Sequence, residues 1–354
     1  MPHIFVRGAG VNQNLVSWRT KLAAGAVPKM LMVSDSLTEA QGNSSPRKGW
    51  GYQLKPAAQT VFIPCVAAWG GASSGKYGIG TVGTNALGET IRTSPSSVTS
   101  WWMWGKSTTP LQSFFIFSDM SGLSNVRVLW KGNATQRVDF KWPGGSDARV
   151  PVGTLWAGDI YSSPITGSGA TLELNYSGAD WIVLGIIADI GTPQVSVMNM
   201  SRSGARVADW NTWLADSYAI AGAGTGAPKN MCAGFNPDLI NIGLGGNDYW
   251  DGVSAAAFEA SYRTLIARLK VLCPNAGFII TTQPPGNDGA TPNWEVLQNT
   301  TKVMASSLGI PVVDWHTLVP KPSADVIGWY SADGVHPTDA GSLFCADLAR
   351  PLLL

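Results

Sequence analysis

The sequence predicts an α/β fold, in which helices cover both faces of a parallel sheet and a β-rich segment interrupts the chain. Before residue 70 and after residue 192, short apolar runs alternate with longer segments of helical periodicity. Parallel strands that are buried on both faces have this continuous apolar character. Between residues 71 and 191, β-branched and aromatic runs are separated by turn residues, which is typical of an antiparallel sandwich or barrel. We therefore predict a discontinuous α/β domain, 1–70 and 192–354, with an inserted all-β module at 71–191.

The first elements lead to a polar turn. Residues 11–25 carry apolar side chains at helical spacing and end in a glycine, so they predict a helix. The apolar run 30–33 predicts a short buried strand, which breaks into Ser34-Asp35-Ser36. This sequence suits a turn from a strand into a helix. A short helix over 49–54 and a strand over 61–65 are expected next.

The remaining elements follow from the same patterns. In the predicted insertion, strands are expected at 98–104, 113–117, 126–130, 137–142, 171–174 and 181–187. After it, strands at 195–198, 239–244, 278–282 and 311–314 alternate with helices at 205–218, 255–271, 294–308 and 338–348. With the first strand, this gives five strands joined by helical crossovers, which is the pattern of a parallel sheet covered on both faces.

The charge balance and the cysteines exclude several kinds of partner. Lysine and arginine number 24 against 23 aspartates and glutamates, which predicts neither a nucleic-acid surface nor a polybasic membrane patch. No apolar run approaches the length of a bilayer span. Because Cys65, Cys232, Cys273 and Cys345 are widely spaced and form no CxxC pair, no metal site is predicted. No cofactor is predicted either. We expect buried thiols, with a disulfide between Cys232 and Cys273 as the alternative.

Two features of the composition are unusual. Charged residues make up only 13% of the chain, and 16 tryptophans accompany 41 glycines. Such a surface suits an extracellular protein that meets sugars, because aromatic faces stack on pyranose rings. The alternative is that tryptophan fills a β core, and for most individual tryptophans this is the better interpretation. As candidate substrate contacts we single out Trp69, Trp101 and Trp102.

The amino terminus bears on localisation. Residues 1–14 contain no basic region followed by an apolar core, so no secretory signal is visible. The protein is therefore expected either to stay in the cytosol or to leave the cell by another route, such as assembly into a particle. The sequence does not indicate an oligomeric state.

Four polar or glycine-rich segments fall at the ends of predicted strands or before the last helix. They contain Ser36, the run 199–204, the run 243–248 and the run 333–337. The carboxyl ends of parallel strands meet at one edge of a sheet, and open α/β folds bind ligands there. The sequence therefore predicts a single site that these four segments share.

The residue types in these segments match the needs of acyl transfer. An ester is cleaved by a nucleophile, a base that takes its proton, a group that orients the base, and donors for the developing oxyanion. Ser36 is the candidate nucleophile, His336 the general base and Asp333 the orienting carboxylate. The candidate oxyanion donors are the backbone N–H groups of Ser36 and Gly204 and the side-chain amide of Asn247.

Each assignment has a structural alternative. The serine turn taken by itself is equally a capped helix start. Of the other histidines, His3 lies in a terminus and His316 has the pattern of a structural residue at a strand exit. Asp314 and Asp248 are rival carboxylates, and Asp248 is expected to cap the helix that follows it.

Taken together, the four segments resemble the signature blocks of the SGNH, or GDSL-type, hydrolase superfamily. They read SDSLTEA, NMSRSGA, GGND and DGVHPT, in the order of the family, and the resemblance covers 29–70 and 193–350. It implies a triad of Ser36, Asp333 and His336, an oxyanion hole with Gly204 and Asn247, and a flavodoxin-like three-layer α/β/α sheet of order 2-1-3-4-5. The sequence departs from the family at Ser34, where glycine is usual.

The same resemblance narrows the function. A β module between the serine and glycine blocks is similar to insertions in some peptidoglycan and polysaccharide O-acetylesterases, which implies removal of acetyl groups from a cell-surface or cell-wall polysaccharide. The opening helix resembles SGNH proteins of actinobacteria and their phages, which implies a virion-associated or cell-envelope enzyme. Two alternatives are a lipase or esterase that acts on envelope lipid esters, and a glycan-binding virion protein whose hydrolase half is vestigial.

Overall fold

The computed structural model describes most of the α/β part and separate pieces of the β-rich part. The described residues are 10–39, 42–44, 46–64, 103–105, 112–117, 121–131, 137–141, 148–149, 172–177, 181–216, 219–220, 224–225, 227–286, 292–323 and 328–354. The chain folds into two compact units. The first comprises Met1–Pro56, Gln194–Ala215 and Phe235–Leu354, and the second comprises Ala57–Pro193 and Asp216–Gly234.

The described residues contain strands and helices in the following order. The strands are β1 (Lys29–Ser34), β2 (Gln59–Pro64), β3 (Met103–Gly105), β4 (Gln112–Phe117), β5 (Leu123–Lys131), β6 (Arg137–Lys141), β7 (Ala148–Arg149), β8 (Leu172–Ser177), β9 (Trp181–Ile190), β10 (Val195–Asn199), β11 (Ala219–Ile220), β12 (Gly224–Thr225), β13 (Leu239–Gly243), β14 (Gly277–Thr281) and β15 (Val312–Val313). The α-helices are α1 (Gly10–Ala23), α2 (Ser36–Glu39), α3 (Val207–Trp213), α4 (Ala227–Phe235), α5 (Gly246–Trp250), α6 (Ala255–Leu272), α7 (Pro292–Ser307), α8 (Trp315–Leu318) and α9 (Asp339–Leu353). A short 3₁₀ helix spans Pro46–Lys48.

The first unit is built on five parallel strands. Their spatial order is β10, β1, β13, β14, β15. Counted along the chain within this sheet, the order is 2-1-3-4-5, so the predicted flavodoxin-like sheet is confirmed. Strand β1 lies inside it, where Met32 pairs with Asn199 on one side and Asn241 on the other. Every residue of β10 and β13 is buried, as expected for strands covered on both faces.

The helices of the first unit pack in two groups. Helix α3 packs against α6, and α6 packs against α7. Helix α1 packs against β13 and β14, and its Trp18 Nε1 donates to the carbonyl of Leu353 in α9 at 2.6 Å. The close approach of α1 to β14 requires glycine at position 277, because a side chain there would overlap the backbone of Asn14.

Helix α1 ends at a left-handed glycine, as the sequence predicted. Gly25 has φ +68°. Its N–H donates to the carbonyl of Leu22 at 3.0 Å, and the N–H of Ala26 donates to the carbonyl of Lys21 at 2.9 Å. These two bonds are the pair that defines a Schellman motif. The motif stops α1 and turns the chain toward β1.

The second unit is antiparallel wherever its strands are described. Strand β9 pairs with β2, β3 and β5, and a separate sheet has the order β4, β8, β6, β7. Strands β11 and β12 form a short pair of their own. Strands were predicted at or near most of these positions. That 71–191 forms an inserted module that binds carbohydrate stays a prediction.

Three segments of the first unit differ from their predicted form. Residues 49–54 form hydrogen-bonded turns in place of a helix, with the N–H of Tyr52 donating to the carbonyl of Gly49 at 3.0 Å. Helix α3 begins later than predicted, because Gly204 has φ +76° and Arg206 is extended at the N-cap. Helix α9 is longer than predicted and runs through Pro351.

Three of the four cysteines lie within the described residues. Cys232, Cys273 and Cys345 are buried thiols, so the alternative of a Cys232–Cys273 disulfide is wrong. Cys65 lies outside the described residues. None of the helices that the structure describes combines the length and the apolar character needed to cross a membrane.

Candidate active site

Ser36 lies at the first position of α2, directly after the polar turn that ends β1. The carbonyl of Asp35 accepts from the N–H groups of Thr38 and Glu39 at 3.2 and 3.0 Å. Its carboxylate accepts from the N–H of Leu37 at 3.1 Å. Asp35 is therefore the capping residue of the turn, which leaves the hydroxyl of Ser36 available for other contacts. The side chain of Ser36 is 8% exposed.

Ser36, His336 and Asp333 form one hydrogen-bonded chain. The hydroxyl oxygen of Ser36 lies 2.9 Å from Nε2 of His336. On the other side of the ring, Nδ1 lies 2.7 Å from Oδ2 of Asp333. The three residues predicted to act together are thus brought together by the fold.

The surroundings of Asp333 decide which ring nitrogen of His336 carries hydrogen. Partial burial raises the pKa of the Asp333 carboxyl, but hydrogen bonds from Ser331, from the backbone and ring of His336 and from Val335 outweigh burial and hold the pKa below its usual range. Asp333 is therefore an anion at neutral pH and accepts from Nδ1–H. In the neutral ring this leaves the lone pair of Nε2 facing the Ser36 hydroxyl.

A tight loop holds the aspartate and the histidine in this arrangement. Oδ1 of Asp333 accepts from the hydroxyl of Ser331 at 2.6 Å and from the N–H groups of Val335 and His336 at 2.8 and 3.0 Å. Gly334 has φ +68°, a conformation that a residue with a side chain rarely adopts. The i to i+3 spacing of Asp333 and His336 therefore reflects a turn in which the carboxylate bonds the backbone as well as the ring.

The loop at 199–204, which contains Gly204, is bonded to α2 by polar side chains. Asn199, at the end of β10, donates from Nδ2 to the carbonyl of Thr38 at 2.8 Å and accepts from the N–H of Ser201 at 3.0 Å. The carboxylate of Glu39 accepts from the N–H of Ser203. Gly204 follows with φ +76°. This loop therefore carries the Gly204 N–H beside α2.

Asn247 lies in α5, after a glycine with φ +135° at position 245. Its Nδ2 donates to the carbonyl of Ala205 at 3.1 Å, which orients the amide. The same nitrogen lies 3.5 Å from Oδ2 of Asp35, at the outer limit of a hydrogen bond. One N–H of Asn247 is thus firmly held, and the other is held only weakly.

Asp35 is also the centre of a buried polar network that the sequence did not reveal. Its Oδ2 accepts from Nε2 of Gln283, a buried residue that follows β14. Burial raises the pKa of the Asp35 carboxyl to about 7, against the hydrogen bonds from Leu37 and Gln283. Gln283 could have been found from the sequence by the signal that marked Ser36, which is a polar residue shortly after a buried strand.

The rival residues lie in structural contacts of their own. Asp314 caps α8 through the N–H of Thr317 at 3.3 Å and bonds Lys302 at 3.2 Å. Nδ1 of His316 accepts from Nε1 of Trp294 at 3.2 Å, and burial lowers the pKa of the His316 ring.

Asp248 lies inside α5 and does not cap the helix that follows it. Its two carboxylate oxygens accept from the N–H of Val207 at 3.3 and 3.2 Å, so it caps α3, which precedes it in the chain. Asp248 is therefore a capping residue, as expected, but it caps α3 and not the helix that follows it.

The predicted substrate contacts Trp69, Trp101 and Trp102 lie outside the described residues. Among the described tryptophans, Trp250 is 52% exposed and lies three positions after Asn247 in α5. Residues three apart share one face of a helix. The Trp250 ring also contacts the rings of Tyr249 and Trp294, at 5.9 Å between centroids in each case. Trp250 thus offers an exposed aromatic surface on the face of α5 that carries Asn247.

The arrangement can move a proton between a serine and a histidine whose second nitrogen is held by a carboxylate. Backbone N–H groups at Ser36 and Gly204 and the Asn247 amide lie on segments bonded to the same turn. Within the described ranges, no cluster of three or more histidine, cysteine, aspartate or glutamate side chains is placed to hold a metal ion.

Comparison with protein families gives a match over half of the chain. Residues 165–343 match the model of the GDSL-like Lipase/Acylhydrolase family. The matched stretch contains Gly204, Asn247, Asp333 and His336, and it begins after Ser36. A search of curated proteins found no significant match.

The chain is also similar to solved structures, the first of which supports the same fold. The chain is similar to the structure titled "Peptidoglycan O-acetylesterase in action, 5 min", with a TM-score of 0.59 and 15% identity over 95% of each chain. It also matches a carbohydrate esterase family 2 enzyme with its carbohydrate binding domain, from Corynascus thermopiles (Myceliophthora fergusii), with a TM-score of 0.36 and 14% identity over 69% of this chain and 93% of that one. A third match is a carbohydrate esterase family 3 structure from Talaromyces cellulolyticus. It has a TM-score of 0.33 and 20% identity over 44% of this chain and 70% of that one.

The buried carboxyl of Glu39 predicts a specific pH dependence of stability. Burial raises its pKa from 4.5 to about 7, although Arg202 and the Ser203 N–H act in the opposite direction. Since the folded state binds this proton more tightly than the unfolded state, Glu39 contributes stability below pH 4.5 that is lost as the pH rises through 7. Replacing it by glutamine, Glu39→Gln, removes the titration. The fall in the free energy of unfolding between pH 4.5 and 8 should then be smaller than in wild type by on the order of 3 kcal/mol.

Urea unfolding at several pH values measures this difference. A matched control is Glu259→Gln, since Glu259 is a partly exposed residue paired with Arg263 on α6. The control should retain the wild-type slope. An unchanged slope in Glu39→Gln would show that Glu39 does not keep its proton to neutral pH in the folded state.

Proposed function

Because the chain belongs to the GDSL-like Lipase/Acylhydrolase family, we propose that it is a serine esterase that removes acetyl or other short acyl groups from a cell-surface or cell-wall polysaccharide. The observation that carries this proposal is the hydrogen-bonded chain from Ser36 through His336 to Asp333, at 2.9 and 2.7 Å. A capped helix start has no need of a histidine at this position. An esterase does need one, because the serine hydroxyl must lose its proton as it attacks.

The reaction proceeds in two half-reactions. Nε2 of His336 takes the proton of the Ser36 hydroxyl as Oγ attacks the ester carbonyl, and it then gives that proton to the leaving sugar hydroxyl. Water repeats the sequence on the acyl-enzyme and releases the carboxylic acid. Asp333 remains an anion throughout and stabilises the imidazolium that forms in each step, which agrees with its lowered pKa.

The oxyanion that develops on the carbonyl is stabilised by three donors. The N–H of Ser36 lies in the first turn of α2, the N–H of Gly204 belongs to the loop bonded to that helix, and Asn247 supplies its amide. The long contact between Asn247 and Asp35 is the one that substrate replaces, because the other N–H of Asn247 is held by Ala205. Loss of one such donor typically costs roughly 10²- to 10³-fold in kcat.

Two observations favour a glycan over a lipid as the carrier of the acyl group. The structure titled as a peptidoglycan O-acetylesterase is similar over 95% of this chain, which supports a related substrate class. Trp250 presents a half-exposed ring, braced by two other aromatic rings, on the face of α5 that carries Asn247. An exposed flat aromatic surface on the helix that carries Asn247 is suited to a sugar ring.

The direct test is release of acetate from an acetylated cell-wall polysaccharide by wild type and by Ser36→Ala. We expect wild type to release acetate and Ser36→Ala to lose at least about 10³-fold in rate, since the nucleophile is removed. Ser306→Ala, at an exposed position of α7, serves as the matched control and should retain wild-type activity. Hydrolysis of long-chain lipid esters alone would favour a lipase, and hydrolysis of no ester at all would favour a vestigial site.

Trp250 provides a separate test of the substrate class. In Trp250→Ala we expect the KM for the acetylated polysaccharide to rise roughly three- to tenfold, because one aromatic stacking contact is lost. The kinetics with p-nitrophenyl acetate should change less than twofold, since that ester has no sugar ring. Trp250→Phe keeps a ring face and should recover most of the affinity. Equal effects on both substrates would argue against a sugar contact at Trp250.

A further inference from the structure

Helix α2 carries a buried carboxyl group, three positions after the candidate nucleophile. Glu39 is 6% exposed and ends a helix of only four residues, Ser36–Glu39. Burying a carboxyl group away from water is costly unless it has hydrogen-bond partners. The proposed reaction uses Ser36 and gives Glu39 no role, so the partners of Glu39 indicate what it does.

Among the described residues, the partners of Glu39 belong to the loop that leads to Gly204. Its Oε2 accepts from the backbone N–H of Ser203, the residue directly before Gly204. The charge of Arg202, one residue earlier, acts on the same carboxyl. Arg202 is itself 5% exposed, and its Nε has no hydrogen-bond partner in the part of the chain that the structure describes. Arg202 thus places a buried positive charge near enough to the buried Glu39 carboxyl to lower its pKa.

Other bonds hold the earlier part of the loop, among them one from the N–H of Met200 to the carbonyl of Met32 at 3.0 Å. Nδ2 of Asn199 donates to a carbonyl of α2 at 2.8 Å, but Asn199 lies five residues before Gly204. The N–H of Arg202 donates at 3.0 Å to the last carbonyl of β1, which is not part of α2. At the Gly204 end, the N–H of Ser203 bonds Glu39 and so joins the loop to α2. Gly204 itself has no side chain with which to hold its backbone.

From these contacts we propose that Glu39 is a positioning residue: it fixes the Gly204 loop to the helix of Ser36, so that the N–H groups of Ser36 and Gly204 serve one oxyanion. This inference rests on the proposed esterase function and deepens it. Ser36 and Glu39 are three residues apart on one rigid turn. The Glu39–Ser203 bond therefore holds the loop in a fixed position relative to the nucleophile.

Substitution separates positioning from simple stabilisation of the fold. Glu39→Gln keeps an oxygen that can accept from the Ser203 N–H, whereas Glu39→Ala leaves that N–H without an acceptor. A positioning role predicts that kcat for p-nitrophenyl acetate falls about ten- to a hundredfold in Glu39→Ala, with KM changed less than about threefold, because the oxyanion donors act mainly in the transition state. Glu39→Gln should restore kcat to within about fivefold of wild type.

A second measurement does not depend on activity. Hydrogen–deuterium exchange, followed in the peptide that contains residues 199–206, should be faster in Glu39→Ala than in wild type and close to wild type in Glu39→Gln. Peptides from α6 and α7 should exchange at the wild-type rate in both variants, which separates local loosening from global destabilisation. Glu259→Gln is the matched control and should leave both kcat and exchange unchanged.

The outcomes separate this inference from the proposed function. Unchanged exchange in the 199–206 peptide of folded Glu39→Ala overturns the inference, whether or not the protein hydrolyses esters. So does a Glu39→Ala variant that keeps the wild-type kcat while wild type itself is active. A wild type that hydrolyses no ester contradicts the proposed function alone, and the exchange result then still decides whether Glu39 holds the loop.

Discussion

The site depends on the need to satisfy polar groups that are buried where β1 ends. Ser34 and Asp35 are 0% and 1% exposed, so every donor and acceptor they carry must find a partner inside the protein. The hydroxyl of Ser34 donates to the carbonyl of Gly243, and Asp35 accepts from Gln283. These partners come from the ends of β13 and β14. The turn therefore draws the neighbouring strand ends toward Ser36, and the same bonds that satisfy it also assemble the site.

Ser34 shows how this packing accommodates the departure from the usual family sequence. A side chain at Gly243 would lie 3.1 Å from the Ser34 hydroxyl and 2.6 Å from the Thr281 hydroxyl. Because position 243 is glycine, the space is free for the hydroxyl of Ser34, and the carbonyl of Gly243 gives it an acceptor. Ser34 thus adds a link between β1 and β13 at the edge where the reaction is proposed to occur.

Much of the first unit could be predicted from the sequence, because its strands are apolar runs and its turns carry glycine or capping residues. The five parallel strands and the Schellman end of α1 follow from such local patterns. The meeting of Ser36 with His336 could be expected only from the order of the blocks, since the two residues are 300 positions apart. Glu39 and Gln283 were missed because their importance depends on contacts across 164 and 248 positions, which periodicity does not report. The cap supplied by Asp248 to α3 was missed for the same reason, since it spans 41 positions.

The central claim is that His336 activates Ser36 as a nucleophile, and covalent labelling with a fluorophosphonate tests it most directly. The reagent reacts with serine hydroxyls that a neighbouring base activates and an oxyanion hole assists. Mass spectrometry of the labelled protein should show one equivalent per chain, located on Ser36, and His336→Ala should label at least about a hundredfold more slowly. Labelling of Ser36 at the same rate in folded His336→Ala, or no labelling of folded wild type, would contradict the claim.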